Sequence, residues 1–279
     1  MFWQTARYRI DLSRPQVMGI VNVTPDSFSD GGAHDTAASA LSHCEQLLKE
    51  GVDILDIGGE STRPGSQMPS VDEELRRVLP VVQQAVRLGV PVSVDTSRPE
   101  VIAAVLDAGA DIVNDVRALT WPGALAAVLP HPLAGVCLMH MQGEPATMQR
   151  QPSYGHVVAE VQAFLAARLT ALRASGVADE RITLDPGYGF GKSLDHNLSL
   201  FRAQRQRLDL GRPLLVGWSR KGTLGQITGR PAGERMVASV AAALAAVAHG
   251  ARVVRVHDVG ATVDALKVWQ AAGLADGPD

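Results

Sequence analysis

The chain has 279 residues, of which 46% are hydrophobic, 20% charged and only 4% aromatic, the proportions of a globular domain with a core of Val, Leu, Ile and Ala. A net charge of −3 gives no global field for nucleic acid or an anionic membrane, so any anion must be recognised by locally placed Arg and Lys. Cys44 and Cys137 are the only cysteines and no apolar run is long enough to span a bilayer, which argues against a disulfide framework or a membrane span and for a soluble, cytoplasmic protein.

Residues 1–15 read as an N-terminal extension in which Tyr8-Arg9-Ile10 is expected to form a short strand closing the bottom of the domain. Eight short apolar runs follow, nearly all ending in polar residues: Val17–Val23 around Asn22 and into Thr24, Ile54–Ile57 into Gly58-Gly59-Glu60-Ser61-Thr62-Arg63, Val90–Val94 into Asp95, and Ile112–Val113 into Asn114-Asp115. The remaining four are Val136–Met139 into His140, Ile182–Leu184 into Asp185, Leu214–Val216 into Ser219-Arg220-Lys221, and Val253–Val256 around Arg255 and into His257. Helices are expected over 36–50, 71–88, 99–108, 154–175, 194–208, 234–249 and 261–272, with a short one near 124–129. Ser97 and Glu100 have capping-box spacing, and Gly51, Gly89, Gly109, Gly176 and Gly250 sit where helices should stop. Strands alternating with single crossover helices predict an α/β fold, a single-domain (β/α)8 TIM barrel over residues 16–272, followed by a fraying tail over 273–279. In that architecture the loops after the strands gather at one face, so the polar run-ends share one pocket.

Glu234–His249 is apolar around most of its circumference, which means burial on more than one side, against the barrel or against a second subunit. The Gly-, Pro- and Ser-rich loops 24–35 and 61–70 are long enough to act as covers. Arg255 and His257 share a strand face and suit an anion, the alternative being an Arg paired with a core carboxylate. Asp95, Asn114 and Asp185 together suit a planar ligand with an N–H edge, an acid–base pair, or a divalent metal. Asp56 reads as a buried partner for another polar group, and His140 as either a pocket residue or a core imidazole. Lys221 can donate to a ligand or, like Lys192, form a Schiff base as in a barrel aldolase. Gly187, Gly189 and Gly191 do not fit the nucleotide-binding glycine fingerprint and instead suggest a tight turn presenting Phe190 as an apolar wall.

These motifs converge on one family. Met18–Gly32, Asp56–Gly65, Ser93–Thr96, Asn114-Asp115, Leu138–Met141, Asp185–Lys192, Ser219–Lys221 and Arg255–His257 resemble, in order, the signature segments of dihydropteroate synthases. The resemblance implies condensation of p-aminobenzoate with 7,8-dihydropterin-6-ylmethyl diphosphate, releasing pyrophosphate, in folate biosynthesis. It places Asp95, Asn114, Asp185 and Lys221 on the pterin. Asn22, Thr62, Arg63, Arg255 and His257 would hold the pyrophosphate, with Asn22 contributing to a Mg²⁺ site. Phe28, Thr62, Pro64, Phe190, Ser219 and Lys221 would form the p-aminobenzoate pocket. Asp95, Lys221, Arg63, Arg255 and His257 are the implied catalytic set, and a homodimer is the implied assembly. Family members commonly carry Ser after the Ser-Arg-Lys triplet, to meet the carboxylate of p-aminobenzoate and its sulfonamide mimics. This chain has Gly222, leaving N–H groups at the following helix start as the substitute donors. A non-catalytic pterin-binding paralogue and a folate-dependent methyltransferase are the competing readings, and the latter has no diphosphate to hold.

Overall fold

The structure is a computed structural model that describes residues 1–24, 33–61, 66–207 and 210–274. Its first elements are an antiparallel ribbon of β1 (Phe2–Gln4) and β2 (Arg9–Asp11), so the expected strand at residues 8–10 has a partner. Then comes β3 (Gln16–Asn22), α1 (Ala33–Lys49), β4 (Ile54–Gly58), α2 (Val71–Ala85), β5 (Val92–Asp95), α3 (Pro99–Asp107), β6 (Ile112–Asp115), α4 (Ala124–Val128) and β7 (Gly135–Met139). The second half holds α5 (Val157–Ala174), β8 (Ile182–Asp185), α6 (Leu194–Arg207), β9 (Leu214–Val216), α7 (Gly222–Thr228), α8 (Met236–Ala248), β10 (Ala251–Val256) and α9 (Val259–Ala271). β3 to β10 are parallel, pair in chain order and close with β10 against β3. This is the expected (β/α)8 barrel.

Strand alternation divides the core in two. Val17, Val21, Leu55, Ile57, Val94, Val113 and Val136 face the helices, while Met18, Ile54, Ile112, Cys137, Leu215 and Val253 fill the lower barrel interior. The ribbon plugs that interior from below with Trp3, Ile10 and Leu12, and the Trp3 indole donates to the Arg181 carbonyl at 2.9 Å. Apolar filling below and polar residues above leave chemistry to the upper rim. Gly51, Gly89, Gly109, Gly176 and Gly250 all have positive φ, which a residue without Cβ adopts freely, and each follows a helix as expected.

One expected cap and one expected helix start differ. α3 starts on Pro99, with Arg98 as a cap that makes no side-chain bond, because the Ser97 hydroxyl turns instead to the buried Asp115 carboxylate. α5 starts at Val157, where the His156 imidazole accepts from Ala159 N, and Tyr154 is drawn off to donate to the Gly191 carbonyl.

Candidate active site

At the upper end of the barrel the inward positions of four strands, β4, β5, β6 and β10, meet across the mouth. Arg255 on β10 donates through Nε to Asp56 Oδ2 on β4 at 2.6 Å and through Nη2 to Asp95 Oδ2 on β5 at 3.0 Å. Asn114, register partner of Asp95, turns its amide toward the same Asp56 at 3.3 Å. Asp56 is fully buried, so its charge has to be compensated in place, and Arg255 with Asn114 does this. Of the two uses weighed for Arg255, the pairing with core carboxylates is therefore present. The guanidinium bridges to Asp95, an implied pterin residue, rather than standing apart as a pure anion site.

Asp185, at the end of β8, accepts from Gly187 N at 2.7 Å and lies near Lys221. Burial pushes the Asp95 and Asp185 carboxyls above the usual range, against the opposing pull of Arg255 and Lys221 respectively. Burial also lowers Lys221, to about 8, although Asp185 works the other way. For Arg255 burial acts downward, yet Asp56 and Asp95 outweigh it and the guanidinium holds its proton more tightly. Three carboxylates thus surround two cations. A neutral heterocycle presenting N–H donors fits such a mouth better than an anion does.

The turn after β8 supplies the opposite wall. Gly187, Gly189 and Gly191 have φ of 68°, 79° and 60°, and a Cβ at Gly187 would collide with the His140 carbonyl. A Cβ at Gly189 would crowd the Lys221 stem at 3.0 Å. Lys192 holds the turn from behind, donating to the carbonyls of Gly187 at 2.9 Å and Phe190 at 3.1 Å and meeting His140 Nδ1 at 2.9 Å. Burial, then Lys192, lowers His140 to about 3, so its imidazole is neutral and acts as an acceptor. Lys192 thus clamps the turn from within the core, and His140 is a buried imidazole packed against it. Phe190 stands on the turn with the Lys221 ammonium 4.5 Å from its ring centre, and that ammonium donates to the Tyr188 carbonyl.

Ser219 receives His257 N at 3.1 Å and sits 2.9 Å from His257 Nδ1, so two residues assigned from sequence to different substrates share a contact. Asn22 ends β3, half-buried, in register with Gly58. Phe28, Thr62, Arg63 and Pro64 lie outside the described residues. No group of three His, Cys, Asp or Glu able to hold a metal occurs among the described residues, and among them no helix is long and apolar enough to cross a membrane. The supporting roles of Lys192 and the Tyr188 carbonyl were not anticipated; a Lys closing a glycine-rich turn was the available signal.

Residues 18–257 match the family of pterin-binding enzymes, an interval from β3, the first barrel strand, to His257 just after the last one. The dihydropteroate synthase of Neisseria meningitidis serogroup B is 54% identical over 278 residues, covering 98% of each chain. The chain belongs to the dihydropteroate synthase family. Among solved dihydropteroate synthases, that of Xanthomonas albilineans with 4-aminobenzoic acid superimposes with a TM-score of 0.90 at 51% identity, covering 95% of this chain and 96% of that one. The Burkholderia cenocepacia dihydropteroate synthase complexed with 7,8-dihydropteroate gives a TM-score of 0.89 at 49% identity, covering 99% and 97%. The match runs nearly the full length of each of these dihydropteroate synthases.

Proposed function

We propose that the chain condenses p-aminobenzoate with 7,8-dihydropterin-6-ylmethyl diphosphate, giving 7,8-dihydropteroate and pyrophosphate in folate biosynthesis, by an SN1-like displacement. The observation that carries this reading is the single mouth in which Asp56, Asp95, Asn114 and Asp185 meet Arg255 and Lys221. Carboxylates there accept from the pterin's N–H edge, and Lys221 turns from the Tyr188 carbonyl to donate to the ring. As the methylene C–O bond breaks, its electron pair leaves with the diphosphate. The positive carbon that remains is stabilised by the Asp95 carboxylate nearby. The aromatic amine, already neutral at pH 7, forms the C–N bond and then releases one proton. Arg63, Arg255 and His257 with Asn22 and Thr62 are assigned to the departing diphosphate, and Phe28, Thr62, Pro64, Phe190, Ser219 and Lys221 to the p-aminobenzoate pocket.

The family implies Mg²⁺. A single amide oxygen from Asn22, with no cluster of acidic ligands beside it among the described residues, suits an ion that arrives on the diphosphate rather than in a protein cage. When bound it neutralises charge on the leaving group. A homodimer is part of the same reading. Ile227 on α7, Met236 and Val237 on α8 and Val268 on α9 expose apolar side chains on neighbouring helices, and a monomeric mass in solution would refute it. A cytoplasmic setting accords with two free, buried cysteines.

The deciding assay is pyrophosphate release from the dihydropterin diphosphate, followed with and without p-aminobenzoate in single turnover. Dihydropteroate is expected only with the amine, while C–O cleavage precedes attack and is detectable without it. Absence of dihydropteroate in the presence of both substrates would refute the synthase activity, and cleavage that occurs only with the amine present would refute the dissociative step.

A further inference from the structure

The Ser219-Arg220-Lys221 elbow is held in a conformation its own sequence does not favour. Arg220 has φ of 59°, in the left-handed region that costs a residue with a Cβ about 1 kcal/mol or more, so neighbouring groups have to hold it. Those groups lie at the start of α8. Ser239, buried on its first turns, accepts from Arg220 N at 2.9 Å. Arg235, the residue before α8, donates through Nη1 to the Arg220 carbonyl at 3.0 Å and to the Lys221 carbonyl at 3.3 Å, while its Nε donates to the Arg230 carbonyl at 2.8 Å. The guanidinium is pressed flat on Gly225 of α7, where any Cβ would occupy its place. The Arg220 side chain turns away from the pocket to Asp258, leaving Ser219 and Lys221 directed into it.

We propose that Arg235, seated on Gly225, is a positioning residue that fixes the backbone of Lys221 so that its ammonium reaches the pterin; this rests on the assignment of Lys221 to the pterin made above. Arg235 touches no substrate. It acts by bonding two consecutive carbonyls of the elbow, including that of Lys221 itself, and its place there depends on residue 225 having no side chain.

The dependence on Gly225 allows a test that separates positioning from folding. Gly225→Ala adds a residue of better helix propensity inside α7 and evicts only the mobile end of Arg235. Its melting temperature is expected to stay close to that of the parent, the gain in helix propensity offsetting the lost guanidinium contacts, while its affinity for 6-hydroxymethylpterin, measured calorimetrically, falls about tenfold, as for loss of one charge-assisted hydrogen bond. Arg235→Ala should lose affinity to the same extent. The double variant should be no worse than Arg235→Ala alone, because both changes remove one guanidinium contact. Parental affinity in folded Gly225→Ala and Arg235→Ala, or additive losses in the double variant, would overturn the proposal. Lys221→Met run alongside distinguishes the two failures: if it too binds pterin normally, the assignment of Lys221 is wrong and the inference falls with it.

Discussion

Asp56→Asn tests the electrostatic frame of the pocket directly. The substitution keeps the shape of a fully buried side chain but removes its charge, leaving Arg255 with Asp95 as its only carboxylate partner. Breaking a buried ion pair by removing one member costs about 3–5 kcal/mol. Here the Arg255 side chain is 22% exposed and keeps a partner at 3.0 Å, so water and Asp95 recover part of that cost. A loss of roughly 2–3 kcal/mol remains, a fall of about 5–10 °C in melting temperature for a domain of this size. A second effect follows for the ligand: a guanidinium released from Asp56 closes on Asp95 and competes with the N–H edge of the pterin, so pterin affinity falls as well. Chemical denaturation and pterin calorimetry on the same samples read both effects. Adding Arg255→Met should recover part of the stability, since two removed partners cost less than one abandoned charge. Stability within about 0.5 kcal/mol of the parent, the range of an indifferent surface change, would refute the claim that Asp56 and Arg255 are a compensated buried pair.

The Lys221 ammonium, lowered by burial to about 8, predicts an alkaline limb near that pH in kcat/KM for the dihydropterin diphosphate, absent from Lys221→Met. Unfolding from this group does not explain the limb, because Lys221 gives up its proton in the folded state well below the ordinary 10.5, so rising pH between those values favours the folded chain. A limb persisting unchanged in Lys221→Met would exclude Lys221 as its source. Gly222→Ser places a hydroxyl at the exposed start of α7, where a Cβ meets nothing within 4 Å, so stability should hold while the KM for p-aminobenzoate drops about two- to tenfold. An unchanged KM would mean that the carboxylate is bound without a residue-222 side chain.

The barrel was legible because nearly every strand is a short apolar run with a polar residue at or just past its end, a pattern set by local alternation and by burial of one sheet face on helices. The polar ends named the pocket for the same reason: in a closed parallel barrel, Asp95, Asn114, Asp185 and Arg255 have no other place to converge. What escaped is non-local. Arg255 lies 199 residues from Asp56, and no spacing rule indicates that its guanidinium is shared between two strands. The Ser97–Glu100 pattern was read as a capping box because sequence carries no sign that Asp115, a strand away, would outcompete the backbone for the Ser97 hydroxyl. The clamping roles of Arg235 and Lys192 left no mark in the sequence, since their partners are mainly backbone carbonyls, which every residue has.

The two pocket cations are engaged in different ways, and the difference orders events on the substrate. Lys221 rests on a neutral carbonyl and an aromatic face, contacts that a ligand acceptor replaces at little cost. Arg255 rests on two carboxylates, and pulling it away would strand the fully buried Asp56 charge. On the proposed assignment Lys221 is thus the cation free to follow the pterin, while Arg255 stays and would serve a diphosphate only with the donors that Asp56 and Asp95 leave unused. A guanidinium has five N–H groups, and the two carboxylates engage its Nε and one on Nη2, so both hydrogens of Nη1 and the second on Nη2 can still point at leaving-group oxygens. Arg255 can then stabilise the departing charge without moving, which is the condition under which electrostatic stabilisation costs no reorganisation at the moment the bond breaks.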